Sequence, residues 1–434
     1  MDETQTRKVN IHVPVLARVE GEGALHLRIR GDVIETLMLQ IYEPPRLFEK
    51  FLEGRSFEEV PDMVARICGI CPVAYQISAV NALESLFGID PGPWVHAMRR
   101  VLYCGEWIQS HCLHIHLLAA PDYLGYESAI AMAHDHPAIV RRGLALQGLG
   151  NDLMTLLGAR SVHPVGIKVG GFHHAPRADD VAAMLARLRA ALPESETLVR
   201  WTAGIPMPDD EQTFTCVALR DAGEYPIHRG RITASDGLAI DAAQYDRHFT
   251  EYQVEHSTAL YSQYRDQPYL VGPLARLNTS ADRLPDAVQQ LMHDTGVTWP
   301  SRSMFHSMVA RAVEVHYALS EAAHLLENYM EVPAPAVAVT PRAGIGYGCS
   351  EAPRGLLWHR YQVDAEGLIV DARIVPPTSQ NQARIEEDLR LSLQDFGLRH
   401  SDEELRLHCE KVIRNYDPCI SCATHFLKLH AERL

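Results

Sequence analysis

Two short stretches near opposite ends of the chain decide its fold: RICGICPVAY at residues 66–75 and DPCISCATH at residues 417–425. Each carries a C-x-x-C pair, Cys68 with Cys71 and Cys419 with Cys422. Thiolates are soft donors, and four of them brought together make a metal site. If the pairs share one site, the chain must return its C-terminal end to its first quarter. Pro72 suits the first turn of a helix, whose positive end favours an anionic sulfur at Cys71. Pro418 stops the preceding helix before it reaches the second motif.

The pairs alone leave several chemistries open. One is a tetrahedral zinc site with four cysteine ligands, although such pairs usually lie close together in small zinc-dependent domains. Another is an iron–sulfur cluster. A redox dithiol fits poorly without a βαβ frame. The remaining five cysteines, Cys104, Cys112, Cys216, Cys349 and Cys409, are isolated and read as small buried apolar residues. An odd total of nine argues against a disulfide framework.

Outward from the motifs, residues 9–43 alternate apolar and polar positions, broken by Gly21, Gly23 and Gly31-Asp32, and read as a strand meander. Ser56 with Glu59 forms a capping-box pattern that opens a short helix. Helices are expected over 72–87, 94–119, 178–203 and 303–330, and β structure over 335–376. A helix over 383–396 ends at Gly397, and Ser401 with Glu404 opens another that runs to about Asn415. No repeat, low-complexity tract or linker divides the chain. The predicted fold class is α+β: a single large domain with a central bundle of long helices and peripheral antiparallel strands.

The composition narrows the function classes. The chain has 434 residues, 47% hydrophobic and 22% charged, enough for a large core. A net charge of −15 argues against nucleic acid and anionic lipid as partners. No run of eighteen apolar residues predicts membrane insertion. The polar N-terminus MDETQTRKVNIHVPV has no secretory h-region, so a cytoplasmic location is expected. GIGYGCS (344–350) lacks the Lys-Ser/Thr of a P-loop, and no G-x-G-x-x-G unit is present. The HCLHIH run (111–116) has no H-E-x-x-H pattern, and its histidines read as structural.

The Asp, Pro and His at fixed offsets in DPCISCATH, with RICGIC near the other end, resemble the signatures of the nickel–iron hydrogenase large subunit. ARVEGEG (17–23), FEKFLEGR (48–55), EAPRGLLWH (351–359) and VPPTSQN (375–381) resemble further elements of that family, the last as a loop. FTEYQVEHSTALYSQY (249–264) and VGPLARLN (271–278) are most similar to its cytoplasmic, pyridine-nucleotide-linked group, also called sulfhydrogenases.

The resemblance implies a set of roles. Cys68 and Cys419 are expected as terminal nickel ligands, with Cys71 and Cys422 bridging nickel to an iron that carries CO and cyanide. Heterolytic H2 cleavage needs an electron-pair acceptor and a nearby base. Cys419 is a candidate base, Glu20 the first proton relay, and Arg354 an electrostatic and positioning residue paired with Asp417. Without that context, Arg354 would read as a surface ion pair and Glu20 as a solvated strand residue. Pro377 and Thr378 belong to the loop facing the iron, with Thr378 donating to a cyanide nitrogen. Glu49, His425 and the backbone carbonyl of Ile374 are expected to hold magnesium. Oxygen donors suit this hard cation.

Three positions depart from the family pattern: Tyr75 replaces a common histidine, Ser110 an aspartate facing the arginine, and Glu22 a histidine. Ser110 shifts the holding of Arg354 onto Asp417. The family also implies that residues 426–434 form a tail, removed by a maturation protease after nickel-insertion proteins have loaded the site. The domain proper is then 1–425. Five isolated cysteines cannot carry electrons outward. A small subunit with an iron–sulfur cluster is therefore expected as partner, with flavin and NAD(P) on diaphorase subunits. The alternatives are a hydrogen-sensing subunit, a different acceptor such as ferredoxin, deazaflavin or polysulfide, a quinone-module relative, which would lack the thiolates, and a zinc structural protein.

Overall fold

A computed structural model describes residues 7–424. Its N-terminal strands, Lys8–Val13, Gly23–Arg30 and Val33–Ile41, form an antiparallel meander in sequence order. The expected alternation is clean in the first strand, where Val9, Ile11 and Val13 are buried and their neighbours exposed. A one-residue slip near Arg28/Ile29 lets the meander curl. Its apolar face shares a core with Ile385, Leu389, Leu393, Leu405, Cys409 and Ile413. The meander therefore lies on the two last long helices, Pro377–Phe396 and Asp402–Asn415.

Helices Pro72–Phe87, Pro93–Leu113, Pro137–Gly158, Ala178–Ala203 and Ser307–Glu327 make up the central bundle. The helix Pro93–Leu113 is buried on every side from Met98 to Cys112, as expected of a helix at the middle of a large core. The helix expected over 94–119 is α-helical only to Leu113. It continues as a wider π-helical segment, His114–Ala119, and then as Ala120–Leu124. Such segments are rare and frequent near functional sites.

The helix Pro137–Gly158 has no counterpart in the sequence reading. Gly143, Gly148 and Gly150 weaken its helical signal, yet Gly150 is what brings it against the central helix. A Cβ there would lie 2.6 Å from the Gln109 amide nitrogen and 2.7 Å from the Gly105 carbonyl oxygen. The glycine therefore serves close backbone approach rather than a turn.

The β structure expected over 335–376 is an antiparallel sheet of Gly344–Ala352, Gly355–Val363 and Ile369–Val375. It packs on the helix Pro72–Phe87 at Gly346 and Gly348, whose absent side chains admit the backbone of Ser78 and Ala82. A further sheet, unanticipated, orders Tyr269–Leu270, Thr215–Arg220, Arg231–Ala234 and Ala239–Ile240, with its first pair parallel.

Two helix starts differ from expectation. Glu59 accepts the Ser56 amide at 3.1 Å, but the helix proper spans only Val60–Val64. The helix expected from 383 begins at Pro377, so VPPTSQN is a helix start rather than a loop. Two of its buried polar residues bond to distant backbone: Gln380 donates to the Leu356 carbonyl at 2.6 Å, and Asn381 makes both bonds to the Val271 backbone. The Ser401/Glu404 box is formed in both directions. Among the described residues no helix is long and apolar enough to cross a membrane.

Candidate metal centre

Cys71 is the residue before the helix Pro72–Phe87, and Cys68 lies in the turn just ahead of it. The Ile70 amide donates to Cys68 Sγ at 3.3 Å. Glu106, from the central helix, accepts the amides of Val73 at 2.6 Å and Ala74 at 3.1 Å. Its carboxyl oxygens satisfy helix N-terminal donors that otherwise lack partners, and so fix the turn that carries Cys71; burial raises this carboxyl well above its usual range.

The second pair arrives from the other end. Asp417 adopts a left-handed backbone, φ 53°, which turns the chain out of the helix Asp402–Asn415. Aspartate tolerates this conformation better than most residues. The Cys419 amide then donates to Thr378 Oγ1 at 3.0 Å. Ile420 N–H donates to the Glu20 carbonyl at 2.9 Å, and Ser421 N–H to Glu20 Oε2 at 3.1 Å. Arg46 ties both loops together, since its Nη2 donates to the Ile67 carbonyl at 2.6 Å and also to the Ser421 carbonyl.

These anchors bring four sulfurs within 4.8 Å of one another. Cys68 and Cys419 Sγ are 3.5 Å apart, Cys71 and Cys422 3.6 Å, and Cys419 and Cys422 2.6 Å. All four side chains are buried. Burial pushes the Cys419 thiol well above its usual range. Hydrogen bonds from Cys419, Cys422 and Cys71 hold Cys68 well below its own. One thiolate is thus favoured and further ionisation is resisted, so loading a metal must release protons.

Glu20 Oε2 lies 3.1 Å from Cys419 Sγ. Burial raises its carboxyl, and negative charge on Cys68 raises it further. Arg354 is buried at 2% exposure, not on the surface. Its Nε donates to the Asp417 carbonyl at 2.7 Å and its Nη2 to Asp417 Oδ1 at 3.1 Å, while Nη1 reaches Ser110 Oγ only at 3.4 Å. Asp417 therefore carries the pairing that Ser110 carries weakly. Burial opposes the Arg354 charge, yet Asp417 and the nearby sulfurs hold it firmly protonated.

Other candidate positions divide. Glu49 Oε1 accepts the Ile374 amide at 2.8 Å, so these two are adjacent. His425 and the tail 426–434 lie outside the described residues. Pro377 is the buried first residue of its helix. Glu22 is exposed. Tyr75 is buried, and its hydroxyl has no nitrogen or oxygen partner among the described residues. Burial and the charge of Cys422 and Cys71 raise it well above its usual range.

Arg46 and Glu106 belong to the site, yet the sequence reading did not single them out. Arg46 stands just before FEKFLEGR, which is the only sequence signal it gives. The donor set fits a soft metal pair better than a lone hard cation: four thiolates, no carboxylate among them, and a buried guanidinium close by.

Comparison with known proteins gives the same picture. The chain matches the family described as nickel-dependent hydrogenase over residues 46–144 and 236–425. Sulfhydrogenase 1 subunit alpha of Pyrococcus furiosus is 34% identical, covering 97% of this chain and 100% of the relative. The NAD-reducing hydrogenase HoxS subunit beta of Cupriavidus necator is 26% identical over 95% of this chain and 94% of the relative. A crystal structure of an NAD+-reducing [NiFe]-hydrogenase in the H2-reduced state superposes with a TM-score of 0.86 at 27% identity, covering 97% of this chain and 100% of that one. A zinc structural protein and a quinone-module relative without thiolates are thereby set aside. The chain belongs to the nickel-dependent hydrogenases, as a large, catalytic subunit with a Ni–Fe centre.

Proposed function

We propose that Cys68, Cys71, Cys419 and Cys422 hold the Ni–Fe pair, and that the chain splits H2 there and passes electrons to a small subunit with an iron–sulfur cluster. The observation that carries this is the convergence of four buried sulfurs from opposite ends of the chain. Cys68 and Cys419 would hold nickel as terminal ligands in this reading, and Cys71 and Cys422 would hold both metals. When bound, the metal pair would supply the electron-pair acceptor for H2, and its iron would carry CO and cyanide.

The chain's own residues then handle the proton. Cys419 Sγ receives it, and Glu20, 3.1 Å away, takes it onward. A carboxyl raised by burial accepts a proton more readily than an exposed one. Arg354 stays charged and orients the site from one side, held by Asp417. Thr378, beside Pro377, accepts the Cys419 amide and keeps its own O–H to donate to a cyanide ligand. Glu49 and the Ile374 carbonyl, with His425, form a separate magnesium site in the same proposal. Residues 426–434 lie beyond the family match and act as the cleavable tail.

In the same proposal the electron route continues through diaphorase subunits with flavin to NAD(P); a relative and a solved structure named as NAD-reducing support the last step alone. Elemental analysis and H2-dependent dye reduction of the purified complex test the proposal together. Nickel with iron and dye reduction support it, and zinc alone with no dye reduction refutes it. Intact mass of the active chain tests the tail, since a retained 426–434 segment removes that element.

A further inference from the structure

Arg354 occupies the tip of a tight hairpin. Ala352 pairs with Gly355, which leaves Pro353 and Arg354 as the two turn residues between the strands Gly344–Ala352 and Gly355–Val363. Such a tip is the least supported part of a hairpin unless something holds it from behind. Here the support is Arg276, on the helix Pro273–Ser280, which is itself fully buried.

All five guanidinium donors of Arg276 are used. Its Nε donates to Glu314 Oε1 at 2.7 Å and its Nη2 to Glu314 Oε2 at 2.7 Å. Its Nη1 donates to Glu351 Oε2 at 3.0 Å and to the Ala352 carbonyl at 2.8 Å. The second proton on Nη2 goes to the Pro353 carbonyl at 3.1 Å. The guanidinium also sits 4.5 Å from the centre of the Trp107 ring.

The partners are locked in turn. Glu314 accepts from the Tyr225 hydroxyl at 2.7 Å and lies 3.0 Å from His111 Nε2. Glu351 accepts the Leu219 amide at 2.6 Å. Gly272, just ahead of the Arg276 helix, passes so close that a Cβ there would lie 3.1 Å from the Arg354 carbonyl oxygen.

A buried ion pair contributes little net stability by itself, because desolvation offsets the attraction. What sets Arg276 apart is where its last two donors go: to the carbonyls of the two residues directly before Arg354. We propose that Arg276 is a positioning residue for Arg354, fixing the hairpin tip so that the Arg354 guanidinium stays beside Asp417 and the four sulfurs. This rests on the role given to Arg354 above. Lysine has a point charge and three donors and cannot reproduce the five-bond fork.

A double-mutant cycle in the full complex tests it, with Arg276→Lys, Arg354→Lys and the pair. Misplacing a site group by about 1 Å costs up to about 100-fold in rate. Arg276→Lys is expected to lower kcat about 10-fold or more, with nickel per chain unchanged. A crystal structure of that variant is expected to show the Arg354–Asp417 contact lengthened. The double variant is expected to be no slower than Arg354→Lys alone, because residues acting through one another are not additive. Independent, multiplying losses overturn the proposal, as does an unmoved Arg354. If Arg354→Lys itself leaves kcat unchanged, the role of Arg354 fails and this proposal with it. Should Arg276→Lys fail to fold, Glu314→Gln loosens the same fork with its shape kept, and the same non-additivity with Arg354→Lys is expected.

Discussion

The guanidinium of Arg46 donates to the carbonyl of Ile67, one residue before Cys68, at 2.6 Å. The same nitrogen donates to the carbonyl of Ser421, between Cys419 and Cys422. One side chain thus spans two loops that are almost the whole chain apart, and its own amide donates to the Thr424 carbonyl at 2.6 Å. Convergence of the sulfurs is held by main-chain contacts of this kind as well as by any metal.

Arg46→Met removes the clamp but keeps much of the apolar stem. Nickel retention under dialysis against a chelator is expected to drop several-fold relative to the parent, with the far-ultraviolet circular dichroism unchanged. Equal retention would assign Arg46 to general stability alone.

Glu20→Gln keeps the size and the acceptor for the Ser421 amide but removes the exchangeable carboxyl proton. H2-dependent dye reduction is expected to fall about 100-fold or more, the usual scale for losing a proton-transfer group. Nickel content is expected to hold. A variant within about twofold of the parent would exclude Glu20 from the proton route.

Gly348→Ala forces a methyl to within 2.4 Å of the Ser78 carbonyl oxygen and the Ala82 amide nitrogen. These are backbone atoms of the helix that begins beside Cys71 and cannot rotate away. The expected cost is about 1–3 kcal/mol, the scale of overpacking a tight core. Scanning calorimetry should show a lowered transition, and an unchanged one would mean that the sheet and helix are not in backbone contact.

Asp388 gives a pH test away from the sulfurs. Burial pushes its carboxyl up to about 6, with Arg384 opposing and Asp210 reinforcing the shift. Tyr416 and Gln212 donate to its two oxygens at 2.6 Å each. Between the ordinary carboxylate range and about 6, the folded chain binds a proton that the unfolded chain has released. Stability from this group therefore falls as pH rises through that window. Asp388→Asn cannot titrate, so its melting temperature relative to the parent is expected to improve from about pH 4 to about pH 7. A constant difference would show that the folded carboxyl is not raised.

The parts of the fold legible in the sequence were those with local signatures. The meander showed through alternation, the Ser401/Glu404 box through its spacing, and the cysteine loops through ligand chemistry. The roles of Glu20 and Arg354 came from family resemblance, since an isolated glutamate or arginine carries no such information. The helix Pro137–Gly158 was missed because its glycines answer to the neighbouring helix, a relation absent from its own residues. The start of the helix at Pro377 was missed because buried polar residues there bond to distant backbone. Arg46 and Arg276 escaped for a similar reason: they act on carbonyl groups, which every residue has and no motif marks.

Anomalous X-ray scattering from crystals of the complex, recorded at the nickel and iron absorption edges, addresses the metal centre directly. We expect one nickel and one iron peak, side by side, within bonding distance of the sulfurs of Cys68, Cys71, Cys419 and Cys422. A lone zinc peak at those sulfurs, or nickel bound elsewhere in the chain, would contradict it.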